Sequence, residues 1–274
     1  MILRNIPSTG ETLPIIGLGT WSTFDVTRPA DHPPLEQVLQ AVVQTAKGAL
    51  IDSSPMYGRA EEVVGNLTQS CKLNEDFFYA TKVWTTGKQE GIQQMESSLK
   101  KMRRQEMDLM QIHNLTDWKT HLTTLRDWKE QGKIRYLGVT HYTDSMHPEL
   151  EKVIMTEKID FVQFNYSITS RNAEKRLLPA AADKGVATLI NRPLGEGTLF
   201  TMVRGKALPE WAKDYDIHSW TQFFLKFIAS HPAVTCIIPA TRKPTHAADN
   251  MQAGQGRLPD QTIREKMVTF IESL

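Results

Sequence analysis

The feature that most constrains this chain is an alternation. Short runs rich in apolar and β-branched residues recur at 15–21, 49–53, 77–83, 107–113, 134–140, 161–166, 186–191 and 234–240. Each is followed by a segment with helical spacing of apolar residues, at 35–47, 60–69, 88–103, 118–131, 148–156, 173–184, 219–230 and 244–253. Several helix ends are legible, because Lys47-Gly48, Gln131-Gly132 and Lys184-Gly185 put glycine where a left-handed stop is needed. Near-continuous apolar runs separated by helices are the pattern of parallel strands covered on their outer side. Eight such units in about 250 residues predict an α/β fold, the (β/α)8 TIM barrel.

The rival is a doubly wound sheet, which needs a glycine-rich turn opening a helix if it binds a dinucleotide. Gly17-Leu18-Gly19-Thr20-Trp21-Ser22 lacks the third glycine and leads into no helix. Two pieces lie outside the eightfold count. Residues 3–15 carry a Ser8-Thr9-Gly10 turn between short apolar pieces, which predicts an N-terminal β-hairpin plugging the barrel floor. Residues 259–274 predict an extra C-terminal helix with Ile263, Met267, Phe270 and Ile271 on one face. The expected organisation is a single barrel domain over 1–274.

The formal charge of +1 gives no reason to expect nucleic acid or an anionic membrane as partner. No run is apolar enough to span a bilayer, and residues 1–7 lack the pattern of a secretory signal, so the expected setting is cytoplasmic. Cys71 and Cys236 are expected to be free thiols. The three Asn-x-Ser/Thr matches at Asn66, Asn114 and Asn165 are expected to be chance in that setting.

In such a barrel the C-terminal strand ends form the mouth, where active sites sit. Asp52 ends the second run with Tyr57 in the following turn, Lys82 lies near the end of the third, and His113 ends the fourth. Alone, each has a structural alternative. Asp52 could cap a turn, Tyr57 could be a half-buried loop aromatic, and His113 a satisfied core histidine. Lys82 is flanked by apolar strand residues and needs a partner acid. Together they form a coherent acid. A free tyrosine has a pKa near 10 and protonates poorly at neutral pH. A lysine ammonium beside it favours the phenolate and lowers that pKa. Asp52 would pair with Lys82, and His113 would donate to the same carbonyl oxygen.

These residues resemble the aldo-keto reductase superfamily, through motifs that run in family order along nearly the whole chain. They are Gly17-Leu18-Gly19-Thr20-Trp21, Ile51-Asp52-Ser53-Ser54-Pro55-Met56-Tyr57-Gly58 leading into Glu61-Glu62-Val63-Val64-Gly65, Thr81-Lys82, Asp108-Leu109-Met110-Gln111-Ile112-His113, 132–138, and Ile238-Pro239. The resemblance implies reduction of an aldehyde or ketone with NAD(P)H, Asp52, Tyr57, Lys82 and His113 as the tetrad, and Tyr57 as general acid. It implies a nicotinamide held at strand ends by Gly19, Thr20, Thr140, His141, Gln163, Asn191, Arg192, Pro193 and Leu194. His141 replaces an amide of the family pattern, and Asn191 stands where many members stack an aromatic. Asn250 matches an asparagine of the helix after the last strand.

The substrate pocket is expected to be lined by Trp21, Phe24, Met56, Trp84 and Asn114, under long loops at 21–34 and 193–218, and to be relatively open. Thr241, Arg242 and Lys243 open the last of the eight helices and carry no nearby acid. Arginine's planar fork suits a phosphate, so the expected coenzyme is NADPH (NADP+) in preference to NADH. The expected partner is a small-molecule carbonyl substrate, acted on by a monomer. Two other classes are weighed. A metal-dependent hydrolase would want His-x-His at the first strand, and no histidine here forms that pair. A cofactor-binding regulatory subunit with little turnover stays open as the alternative.

Overall fold

The computed structural model describes residues 1–274. A hairpin comes first, with β1 (Leu3–Asn5) antiparallel to β2 (Thr12–Pro14). Eight parallel strands follow in sequence order around the sheet: β3 (Leu18–Gly19), β4 (Ala49–Asp52), β5 (Phe77–Val83), β6 (Met107–Ile112), β7 (Ile134–Thr140), β8 (Phe161–Asn165), β9 (Ala187–Asn191) and β10 (Cys236–Ile237). Bridges from Ile16 to Ile237 and from Gly19 to Ala240 join the first strand to the last. The Gly19 amide donates to the Pro239 carbonyl at 3.1 Å across this seam. A Cβ at Gly19 would come within 2.7 Å of the Ile238 carbonyl oxygen, so the close approach there requires glycine.

The outer ring holds α1 (His32–Thr45), α2 (Ala60–Ser70), α3 (Lys88–Lys101), α4 (Trp118–Glu130), α5 (His147–Thr156), α6 (Leu177–Lys184), α8 (Trp220–Ala229) and α9 (Pro244–Gln252). Their apolar faces pack on the outward residues of the strands as one large core. The short α7 (Thr198–Met202) lies in the loop after β9. The C-terminal α10 (Gln261–Glu272) is capped by the Asp260 carboxylate, which accepts from the Ile263 amide at 3.0 Å. Arg264 of α10 is buried and donates to Tyr166 and Glu174 at 2.8 Å each.

Strand periodicity explains why the site lies at one end. Successive side chains alternate between the faces of a strand, so residues two apart share a face. Leu50, Phe78, Leu109, Tyr136, Phe161 and Leu189 form a second apolar cluster with Ile6 and Leu13 of the hairpin region. This closes the barrel floor as the Ser8-Thr9-Gly10 turn predicts. One step further toward the C-terminal ends the same alternation reaches Asp52, Gln111, Gln163 and Asn191, and on β5, past Ala80, it reaches Lys82. The floor is therefore apolar and the mouth polar.

Four expectations need correction. The first and eighth runs give strands of two residues each, because Pro239 has no amide to extend the ladder and the seam continues as isolated bridges. The helix expected from 173 begins at Leu177, after a 3-10 turn over Asn172–Glu174. Gly132 and Gly185 do stand left-handed at their helix ends, but α1 stops at Thr45 and Gly48 lies beyond its cap. The 193–218 loop is also more ordered than a plain connection, since it holds α7 and a 3-10 helix at Glu210–Tyr215.

Candidate active site

Asp52 ends β4 and Lys82 lies near the end of β5, the two strands being hydrogen-bonded neighbours. Their side chains are almost fully shielded from solvent, with Lys82 Nζ 2.7 Å from Asp52 Oδ2. Lys82 also donates to the Ser53 carbonyl at 2.6 Å. Gln111 of β6 donates to the other Asp52 oxygen at 3.1 Å. Burial alone would push the Lys82 ammonium down, yet the Asp52 carboxylate and the Tyr57 hydroxyl hold its pKa above the usual value.

Tyr57 sits in the turn after β4, with its amide donating to the Ser54 carbonyl at 3.0 Å. Lys82 Nζ lies 5.0 Å from its ring centroid. The phenol's pKa is pushed up overall. Desolvation by burial is the largest cause, and it outweighs the lowering by Lys82. This corrects the expectation of a depressed tyrosine pKa: the ammonium only offsets part of the cost of burial. The ring of His113 meets that of Tyr57 edge-on, with centroids 5.8 Å apart. Burial, then repulsion from Lys82, pushes His113 down to about 3, so its ring is neutral at ordinary pH. The Ser54 hydroxyl lies 3.0 Å from His113 Nδ1.

These side chains stand beside a cavity of about 500 Å³. Asp52, Tyr57 and His113 line it, and Lys82 sits behind them. The wall also includes Gly19, Thr20, Trp21, Met56, Asn114, Thr140, Gln163, Asn191, Arg192, Pro193 and Leu194. Other predicted residues fall outside it. Phe24 of the 21–34 loop is fully buried in the core, which removes it from the substrate wall. Trp84 is exposed at the rim, its ring 6.3 Å from that of His113. His141 turns Nδ1 back to accept from the amides of Tyr142 and Thr143, at 3.0 and 3.3 Å, so that atom shapes its own loop. Thr241 is buried and accepts from the Lys243 amide at 3.1 Å. Arg242 is exposed at the start of α9 and donates to the Ser22 carbonyl at 3.1 Å, and Asn250 is buried on that helix.

The residues present fit a nicotinamide carboxamide. The Thr140 hydroxyl donates to Gln163 Oε1 at 2.8 Å, which leaves Gln163 Nε2 buried without a partner. Asn191 Oδ1 is likewise buried and unpaired. One orphaned donor and one orphaned acceptor on the cavity wall complement an amide's oxygen and nitrogen.

A family model described as the aldo/keto reductase family matches residues 15–266. The chain belongs to the aldo/keto reductase family. Among its relatives is the methylglyoxal reductase YeaE of Escherichia coli, 28% identical over 247 residues, spanning 87% of this chain and 84% of the relative. The NADH-specific methylglyoxal reductase of the same organism is 26% identical over 263 residues, spanning 82% and 78%. An aldo/keto reductase from Klebsiella pneumoniae, solved in complex with NADP and acetate, superposes with a TM-score of 0.79 at 23% identity, over 96% of this chain and 93% of that one.

Within this aldo/keto reductase the cavity residues Tyr142, Glu196 and Phe200 are not evident from its sequence. Tyr142 and Phe200 supply exposed aromatic surface at the mouth, and Arg192 pairs with Glu196 at 2.9 Å while its guanidinium lies 5.6 Å from the Tyr142 ring centroid. Only the strand-end position after β7 marked the neighbourhood of Tyr142. Nothing in the spacing placed Phe200, which α7 carries over the mouth. Gln111 was legible in principle, being two residues before His113 on an inward-facing strand position.

Proposed function

We propose that this protein is an NADPH-dependent carbonyl reductase, converting an aldehyde or ketone to the alcohol with Asp52, Tyr57, Lys82 and His113 as its tetrad, in one barrel domain over residues 1–274. What carries the reading is the cavity lined by Tyr57 and His113 beside a buried Asp52–Lys82 pair. NADPH, when bound, supplies a hydride to the carbonyl carbon. Tyr57 gives its phenolic proton to the carbonyl oxygen as negative charge develops there. Burial keeps the phenol protonated at neutral pH, and Lys82 stabilises the phenolate left behind. Water then returns the proton to Tyr57. Asp52 keeps Lys82 charged and oriented, and the neutral His113 donates a hydrogen bond to the same oxygen.

Gln163, Thr140 and Asn191 would hold the carboxamide, with Gly19, Thr20, His141 and the Arg192-Pro193-Leu194 segment around it. Thr241, Arg242 and Asn250 would receive the adenosine 2′-phosphate end. Trp21, Met56, Trp84 and Asn114 would meet the substrate. Small aldehydes of the methylglyoxal kind are suitable first substrates, since two relatives carry that activity in their names. The test is NADPH oxidation against a panel of aldehydes and ketones, methylglyoxal included, alongside NADPH binding followed by fluorescence. Saturable turnover on at least one carbonyl is expected. Tight NADPH binding without turnover on any would contradict the enzymatic reading and favour a regulatory subunit.

A further inference from the structure

Proton bookkeeping around Ser54 decides which nitrogen of His113 carries hydrogen. Ser54 follows Asp52 and Ser53 in the turn after β4 and is fully buried. Pro55 has no amide proton, so the next free amide is that of Met56. That amide donates to Ser54 Oγ at 3.2 Å. The hydroxyl thus has a lone pair occupied, and its own proton must find an acceptor. Its remaining partner is His113 Nδ1, at 3.0 Å. A proton on Nδ1 would leave two donors facing Ser54 Oγ and strand the hydroxyl proton in a dry site. The other ring nitrogen, Nε2, has no partner within the protein, while the ring lines the cavity.

We propose that Ser54 is a positioning residue: its hydroxyl donates to His113 Nδ1 and so keeps the ring proton on Nε2, open to the cavity. A neutral imidazole has one N–H, and burial with the neighbouring Lys82 charge keeps this ring neutral. Without Ser54 the proton is free to settle on Nδ1, and Nε2 then presents a lone pair to the substrate oxygen, which repels it. The same residue holds Tyr57, whose amide donates to the Ser54 carbonyl. One turn residue therefore sets both groups that face the carbonyl. This inference rests on the reading of His113 as a donor to substrate.

The experiment is nitrogen-15 NMR of the full-length protein with labelled histidine, the His113 signals assigned by their loss in His113→Gln. The wild type is expected to show a protonated Nε2 and a bare Nδ1. Ser54→Ala is expected to move population toward protonated Nδ1. It should lower kcat roughly ten- to a hundredfold, less than the 10²–10³ for losing such a donor outright. KM for the carbonyl and Kd for NADPH should stay near normal. A wild-type ring protonated on Nδ1 overturns the proposal without any variant being needed. So does a Ser54→Ala protein with unchanged tautomer and unchanged kcat. Should His113→Gln turn over normally while the wild type shows protonated Nε2, the donor role of His113 falls and the hold of Ser54 on the ring proton stands.

Discussion

Lys82 Nζ lies 2.7 Å from Asp52 Oδ2, in a pair that solvent scarcely reaches. Such a pair is a poor source of net stability but costly to break, because the surviving charge is left buried. Asp52→Asn should therefore lose about 3–5 kcal/mol of stability as well as activity. Its Lys82 ammonium, with burial no longer opposed, should shed its proton more easily. Lys82→Met should reduce kcat about as much as loss of the tyrosine hydroxyl. Denaturant unfolding and steady-state kinetics on both variants check this. A Lys82→Met enzyme with normal kcat would leave the lysine as a core charge alone.

Acid should act on His113 through folding rather than through the rate at neutral pH. In the folded protein its pKa is down to about 3, against an ordinary value of about 6.5. Between those values the unfolded chain binds more protons than the folded one, so stability rises with pH in that window. The contribution is complete above about 6.5 and is lost as pH falls toward 3. His113→Gln should flatten the stability–pH slope by about 1.4 kcal/mol per unit, one proton's worth. Denaturant midpoints between pH 4 and 7 would measure it; parallel slopes in wild type and variant would contradict a buried neutral ring.

Phe24 should matter to stability and not to substrate affinity. It is fully buried, so Phe24→Ala opens a core cavity worth about 3–5 kcal/mol. Trp21→Ala, by contrast, removes an exposed ring from the cavity wall. It should raise KM for the carbonyl while leaving the unfolding midpoint nearly unchanged. Reversed outcomes for the two variants would place Phe24 in the pocket after all.

The coenzyme's phosphate end should be read by Arg242, exposed where α9 begins. A charge-assisted hydrogen bond contributes roughly 1.5–3 kcal/mol, so Arg242→Ala should weaken NADPH at least about tenfold. NADH should be almost unaffected. Calorimetric titration of both coenzymes into wild type and variant separates them; an equal loss for the two would show that Arg242 does not recognise the 2′-phosphate.

The barrel was legible in the sequence because each unit buries one strand and stops its helix visibly, as at Gly132 and Gly185. The hairpin was legible too, since Ser8-Thr9-Gly10 is a turn and Ile6 and Leu13 are apolar on either side of it. The seam was less so, because the closing contacts between 15–19 and 236–240 are single bridges that periodicity cannot distinguish from strand. Asp52, Tyr57, Lys82 and His113 could be picked out as strand-end groups with coherent chemistry. The direction of the Tyr57 shift could not, since it depends on how burial compares with a charge 5.0 Å from the ring centroid. Phe24 departs from the expected substrate wall for a related reason. Its neighbours Trp21, Ser22 and Thr23 do reach the cavity, but the loop backbone turns inward at Phe24.

The central claim is that the Tyr57 hydroxyl protonates the carbonyl oxygen. The most direct measurement is single-turnover reduction by Tyr57→Phe preloaded with NADPH, with coenzyme affinity determined on the same sample. Phenylalanine keeps the ring and its packing, so the Kd for NADPH should stay within a fewfold of wild type while the reduction step slows by about 10²–10⁴. A Tyr57→Phe protein that reduces its best carbonyl at nearly the wild-type rate would contradict the account.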